Sequence, residues 1–339
     1  MLKNIFNKLK KIIKEEYKSI IFFIILYIIF MWPLNYYIIT GGGIMKIGSR
    51  IIVEDAYESK GSFNLSYVNE AKGTIATYLL SYIIPNWERV EASSYTYDDE
   101  ETINDIEFRG KIDLEQASSN AIKNAFLEAG KTYKVISNNL YVYYVDKDSS
   151  NDFKVGDKIL KVDGKEIKNI DNFHDTLENY NIDEEIKILV ERNNHEKELT
   201  VKLYSQNGKN ILGIYVSEVE KFKTYPKVTI KFKNSESGPS GGLMEALDIY
   251  NKITEKDLTK GFKIAGTGEI DKDGNIGTIG GVKYKLLGAE KNKAKVFLTP
   301  KGENYKTCLK VKKENNLKIK VVGVSTLKEA ITFLENYNK

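Results

Sequence analysis

Cysteine, histidine and proline are scarce in this 339-residue chain, which has one cysteine, two histidines and five prolines. A single cysteine, Cys308, excludes an intramolecular disulfide, and its expected setting in a helix of the last domain makes it a packing residue. Both histidines, His174 and His195, fall between residues 126 and 205, so a Ser-His triad confined to the last third of the chain is excluded. With few prolines, 42% hydrophobic and 11% aromatic residues, the chain is not disordered. Long apolar runs are missing except for one, which excludes a polytopic membrane protein. A basic surface is missing too. Residues 1–18 hold six lysines against Glu15 and Glu16, and the remaining 45 basic and 45 acidic residues cancel. Nothing beyond the N-terminus would displace counterions from a phosphate backbone, so nucleic acid is not an expected partner. No GxxxxGK[ST] phosphate loop occurs, and no cofactor or metal is expected.

The one apolar run, Ser19 to Thr40, carries no charge and has the length needed to cross roughly 30 Å of hydrocarbon as a helix. Trp32, Tyr36 and Tyr37 suit an interfacial aromatic belt, and Pro33 is tolerable near a helix end. Lys8, Lys10, Lys11, Lys14 and Lys18 precede the run, whereas Lys46 and Arg50 beyond it are opposed by Glu54 and Asp55. Under the positive-inside rule the N-terminus stays cytoplasmic and the chain after about residue 41 is exported. The run is too long for a signal peptide and lacks a clean cleavage site.

Beyond this segment the pattern changes three times. Residues 41–125 open on Gly41-Gly42-Gly43 and contain strand-like stretches such as Arg50 to Val53, then helical spacing of Ala117, Ala121, Ile122, Ala125 and Phe126. Residues 126–205 read as short strands and turns: Asn139 to Val145, Lys158 to Val162 with the turn Asp163-Gly164, and Glu185 to Glu191. Residues 206–339 alternate strands with helices at Gly241 to Ile253, Val282 to Lys291 and Leu327 to Glu335, an α/β or α+β layering. Asp271-Lys272-Asp273-Gly274-Asn275 superficially suggests a calcium loop, but its glycine comes too early and no distal glutamate follows, so it reads as a hairpin turn.

The most informative stretch is Ser237-Gly238-Pro239-Ser240-Gly241-Gly242-Leu243-Met244. It sets Ser240 at the start of a helical pattern in which Leu243, Ala246, Leu247 and Tyr250 recur. Free N–H groups at a helix N-terminus can stabilise an oxyanion, although a serine there can equally be an ordinary N-cap. A nucleophilic hydroxyl needs a base, and without histidine the candidate is a lysine whose pKa has been lowered by burial. At about 100° per residue, Lys285 lies about 60° from Val282 and about 40° from Ala289 on the apolar face of its helix, while Lys283 points elsewhere. A lysine in such a stripe can also snorkel to solvent.

Two resemblances sharpen this reading. Val155 to Ile167, with Gly156-Asp157 and Val162-Asp163-Gly164, resembles the core of bacterial PDZ domains, which implies a polypeptide partner added as a strand to a sheet edge. Asn138 to Tyr141 is the expected carboxylate-receiving loop. Gly238-Pro239-Ser240-Gly241-Gly242, Gly266-Thr267-Gly268-Glu269-Ile270, Ile279 to Ala289 and Leu298-Thr299-Pro300 resemble, in order, the motifs of the Lon-type proteolytic domain. That resemblance implies Ser240 as nucleophile, Lys285 as its partner in a Ser-Lys dyad, and Thr267 beside the lysine. Ser237 departs from the pattern, since some members have an acidic residue there. The whole layout resembles the membrane-anchored Lon-like proteases of Gram-positive bacteria. It implies a multidomain chain: basic cytoplasmic segment 1–18, transmembrane helix 19–40, extracellular juxtamembrane region 41–125, PDZ domain 126–205 and Lon-type proteolytic domain 206–339. The implied activity is ATP-independent endoproteolysis outside the cell on peptides or flexible segments, with lipid contacted through 19–40. Because Lon-type domains often form rings, a homo-oligomer stays open. Two further classes stay open: an inactive scaffold working through its PDZ domain, and a tail-specific protease, whose motifs around serine and lysine differ.

Overall fold

The computed structural model describes residues 2–149, 151–206 and 209–337, with residues 2–12 and 209 described by backbone alone. The chain divides into two compact units, Met1–Gly41 with Val68–Thr96, and Gly42–Tyr67 with Tyr97–Lys339.

The smaller unit corrects the expectation of a transmembrane helix over 19–40. A helix, Leu2–Phe30, departs from helical geometry at Glu16 (φ −111°, ψ 15°) and stops at Phe30. Pro33 has no N–H with which to continue it, and the Tyr- and Ile-rich sequence that follows favours a pleated surface. Pro33–Lys46 is accordingly a strand, whose Tyr36 to Ile39 pair antiparallel with Glu88–Glu91. Tyr36 and Tyr37, expected in a membrane belt, pack instead on Tyr78 and Tyr95, with ring centroids 5.4 and 5.0 Å apart. The apolar helical part, Ser19 to Phe30, covers only roughly 18 Å at about 1.5 Å per residue. Among the described residues no helix is long and apolar enough to cross a membrane. The side chains of Lys8, Lys10 and Lys11, part of the basic flank, lie outside the described residues.

In the larger unit, the strands Ser62–Thr74, Lys263–Gly266, Val296–Pro300 and Lys320–Val324 lie side by side and parallel. Such a sheet must be covered by helices. Gly242–Ile253 is buried at every position but Lys252, and Leu243, Met244, Leu247 and Ile249 fill one core with Phe63, Ile264 and Leu298. Val282–Lys291 and Glu303–Glu314 enclose a second core in which Leu286 and Cys308 meet Phe297. Cys308 is inside it as expected, and burial pushes its thiol up to about 12. The region 41–125 divides between the two units: Ile47, Ile51 and Val53 join the first core, and Ile103–Glu128 is a long helix capped by Thr102 and Asp105.

The strands around 126–205 form a separate sheet in the order Ile214–Thr224, Tyr133–Val145, Lys158–Val162, Glu185–Arg192, His195–Lys202, with its own core of Leu140, Val142, Phe153, Phe173 and Ile188. Asp157 of the Gly-Asp pair is buried and takes both Nε and an Nη of Arg192 at 2.7 Å, a bidentate pair that closes the sheet. The sheet runs past residue 205, because Ile214–Thr224 pairs along the whole length of Tyr133–Val145. That pairing corrects the carboxylate-loop assignment. Asn138 to Tyr141 lies within a strand and pairs with Ser217 to Glu220, and Leu140 and Tyr141 also pair with Ile159 and Lys158 on the other side. It therefore offers no open loop. The outermost strands of this sheet are Ile214–Thr224 and His195–Lys202.

Candidate active site

Ser240 stands in the turn immediately ahead of Gly242–Ile253, whose N-cap is Gly241 with no side-chain cap bond. The ordinary N-cap role is therefore not taken by Ser240, and among the described residues its Oγ makes no hydrogen bond. The turn is held from both sides. Gly238 N–H donates to Gly110 C=O at 2.7 Å, Gly268 N–H to Ser240 C=O at 2.9 Å, and Leu243 N–H to Gly268 C=O at 3.0 Å. A Cβ at Gly242 would lie 2.6 Å from Ile270 Cγ2, so only glycine lets the helix start this close to the Thr267-Gly268-Glu269-Ile270 segment. The backbone N–H groups of Ser240 and Gly241 have no acceptor among the described residues, which suits them to a developing oxyanion.

Thr267 follows the parallel strand Lys263–Gly266 at its carboxyl end and is fully buried. Its Oγ1 donates to Ser240 C=O at 3.1 Å and accepts from Lys285 Nζ at 3.2 Å. Gly281, at φ 66°, turns the chain into the helix Val282–Lys291, a conformation that suits glycine, and Lys285 stands in the second turn of that helix. Lys285 is only 4% exposed, and burial alone lowers its pKa to about 8. Among the described residues no carboxylate offsets the loss of solvent, so the neutral amine is accessible near physiological pH. Lys283, two residues away, is exposed above the ring of Tyr284.

Three segments far apart in sequence thus bring Ser240, Thr267 and Lys285 together. His174, in the helix Ile170–Leu177, and His195, at the start of the strand His195–Lys202, are both exposed. Ser237 is exposed near Gly110. Asp271 to Asn275 is a hairpin turn closed by Asp271 N–H to Asn275 C=O at 3.0 Å.

Sequence reasoning missed Glu245, which is buried under this turn and accepts from Ser118 Oγ at 2.5 Å. Burial pushes its carboxyl above the usual range, against the pull of Ser118 and Arg50. Together with the Gly110 bond, this contact makes the helix Ile103–Glu128 a brace for the serine turn. A glutamate between Met244 and Ala246, close behind the serine turn, was the available signal.

Residues 227–335 match the model of the Lon protease (S16) C-terminal proteolytic domain, and residues 127–203 match the PDZ domain. The chain therefore carries a Lon-type serine-peptidase domain joined to a PDZ domain. More particularly, it is similar to the Lon protease of Neorickettsia sennetsu, 33% identical over 29% of this chain and 12% of that one. It is also similar to Lon protease 2 of Borreliella burgdorferi, 29% identical over 40% of this chain and 17% of that one. The crystal structure of the PDZ domain of an SdrC-like protein from Listeria monocytogenes is 24% identical and covers 24% of this chain and 92% of that one, with a TM-score of 0.23. The chain spans 11–17% of the length of the Lon proteases it matches.

Proposed function

We propose that this chain is an ATP-independent serine endopeptidase in which Ser240 and Lys285 form the catalytic dyad and Thr267 orients the amine. The observation that carries the reading is a buried lysine with no anionic partner, bonded to Thr267 Oγ1, which is itself bonded to the carbonyl of Ser240. Neutral Lys285 takes the proton of Ser240 Oγ as that oxygen bonds to the scissile carbonyl carbon. The N–H groups of Ser240 and Gly241 receive the oxyanion. Collapse breaks the C–N bond, and the lysine proton leaves with the amine. Lys285, now neutral again, takes a proton from water as the water oxygen bonds to the acyl carbon; the ester C–O bond then breaks, and Ser240 Oγ recovers that proton from Lys285. This chain supplies no phosphate loop, which supports substrates that need no ATP-driven unfolding.

The reading extends to location. Phe22, Phe23, Tyr27 and Trp32 are 60–65% exposed, an apolar surface that supports attachment to a lipid face. The lysines ahead of it support action on the outer side on exported polypeptides. Two experiments test the proposal. Purified chain should cleave an unfolded protein with nucleotide absent, and Ser240→Ala should abolish this; cleavage that requires ATP, or survives the substitution, refutes the mechanism. Protease added to intact cells should digest the region after residue 41, and its protection would refute the outer location.

A further inference from the structure

A cavity beside the sheet edge at Ile214–Thr224 is explained neither by the family matches nor by the dyad. Its volume is about 710 Å³, within the range of ligand pockets. Ile214–Thr224 is one of the two outermost strands of its sheet. Toward its C-terminal end the edge is already occupied, because Gln116 Nε2 donates to Glu218 C=O at 3.0 Å and Ser119 Oγ to Glu220 C=O at 2.7 Å. The preceding residues, Tyr215 to Ser217, line the cavity instead.

The other walls are aromatic and acidic. Tyr97, Tyr143, Tyr144 and Tyr215 form a chain of rings, with centroids 5.1 Å apart for Tyr97 and Tyr144 and 5.6 Å for Tyr144 and Tyr215. Asp113 and Glu269 face the same space from the helix Ile103–Glu128 and from the segment that also carries Thr267. Neither carboxylate forms an ion pair among the described residues. The nearest guanidinium, Arg109, pairs with Glu101 at 3.0 Å and stacks on Tyr97, although its field still reaches Asp113. Burial and mutual repulsion raise the pKa of Glu269, and burial raises that of Asp113 despite the Tyr143 hydroxyl bonded to it. Two carboxylates that repel one another, facing electron-rich rings, form a site complementary to a cation. An open strand edge beside them is complementary to an extended backbone.

We propose that this cavity is a substrate subsite that binds an extended polypeptide segment through the edge at Tyr215 to Ser217 and takes a lysine or arginine side chain between the tyrosine rings, Asp113 and Glu269. Glu269 lies two residues from Thr267 in sequence, which ties this subsite to the segment that carries the threonine beside the dyad. The site thereby selects basic stretches for cleavage, an inference that rests on the peptidase reading above.

The test separates binding from cleavage. Full-length Ser240→Ala protein is titrated with a labelled peptide of Gly, Ser, Ala and Lys, and with the same peptide carrying every lysine acetylated. The expected result is a preference of about tenfold or more for the charged peptide, the order of a partly desolvated cation site. Asp113→Asn with Glu269→Gln, near-isosteric changes, should erase the preference and leave the weaker binding of the acetylated peptide unchanged. Equal affinity for the two peptides, or a preference that survives the double substitution in protein with unaltered thermal unfolding, overturns the subsite. Preference in binding without any cleavage by the wild-type chain would instead refute the peptidase reading and leave the subsite standing.

Discussion

Two lysines, on helices that belong to the two cores of the larger unit, show how the same residue type acquires different settings. Lys252, on the last turn of Gly242–Ile253, meets Asp248 at 2.9 Å and donates to the carbonyls of Gly48 and Ile51 at 2.7 and 2.5 Å. Lys285 is more deeply buried and has only the hydroxyl of Thr267. With an anion and two carbonyls as partners, Lys252 ties the helix to the segment Gly48 to Ile51. A buried cation with a single neutral partner is pushed toward the free amine. The two settings differ in partners as well as in depth.

The largest effect that could break this comparison is on activity. Lys285→Arg should lower kcat by about a thousandfold or more, because guanidinium stays protonated at any working pH, and adding Ser240→Ala should cost little further, since the two groups act as one unit. An active Lys285→Arg enzyme in a single-turnover assay would mean that another group is the base.

Next in size are stability changes of opposite sign. The folded-state pKa of Lys285, about 8, lies below its ordinary 10.5, so between these values the unfolded chain binds more protons and stability rises with pH. Below about pH 8 the buried ammonium costs on the order of 3 kcal/mol. Lys285→Met should therefore stabilise the fold at pH 7 by up to this amount and flatten the rise above pH 8. Lys252→Met strands Asp248 and should destabilise by about 3 kcal/mol. Urea unfolding at pH 7 and pH 10 measures both; changes of equal sign would show that the two environments do not differ as described.

A smaller effect concerns Thr267. For the wild-type enzyme the rising limb of kcat/KM should lie near pH 8, since only the neutral amine accepts the proton. Thr267→Val removes the one hydroxyl that favours the ammonium, so the limb should move to lower pH while kcat falls about tenfold through lost orientation. A limb that stays in place would deny Thr267 contact with the base. The smallest effect is expected for Lys283→Ala, within about twofold of wild type, because surface lysines away from the chemistry contribute little; a folded but inactive variant would show that the wrong lysine had been identified.

The sequence was most legible where a single period or turn rule governs a segment. The helix Val282–Lys291 falls where the spacing of Val282, Leu286 and Ala289 sets it, and the Asp271 to Asn275 hairpin follows from its turn residues. It was least legible where long-range pairing overrides composition. Tyr36 to Ile39 are apolar enough for a bilayer helix, yet they form a strand because Glu88 to Glu91 provides a partner. Likewise Asn138 to Tyr141 loses its loop character to the distant strand Ile214–Thr224.

What the sequence determined by itself was the set of reactive types and their local settings: a serine between glycines before a helix, a threonine after a strand, and a lysine on an apolar helical face without a histidine in the same domain. These depend on residue identity and on periods of two or 3.6, which are local quantities. Tertiary structure alone decided that Thr267 bridges Ser240 and Lys285, that Glu245 and Gly110 brace the turn, and that the amine has no counter-ion. Those outcomes depend on which distant surfaces pack together and exclude water, and the balance of desolvation against partners that sets a buried group's charge exists only once they have done so.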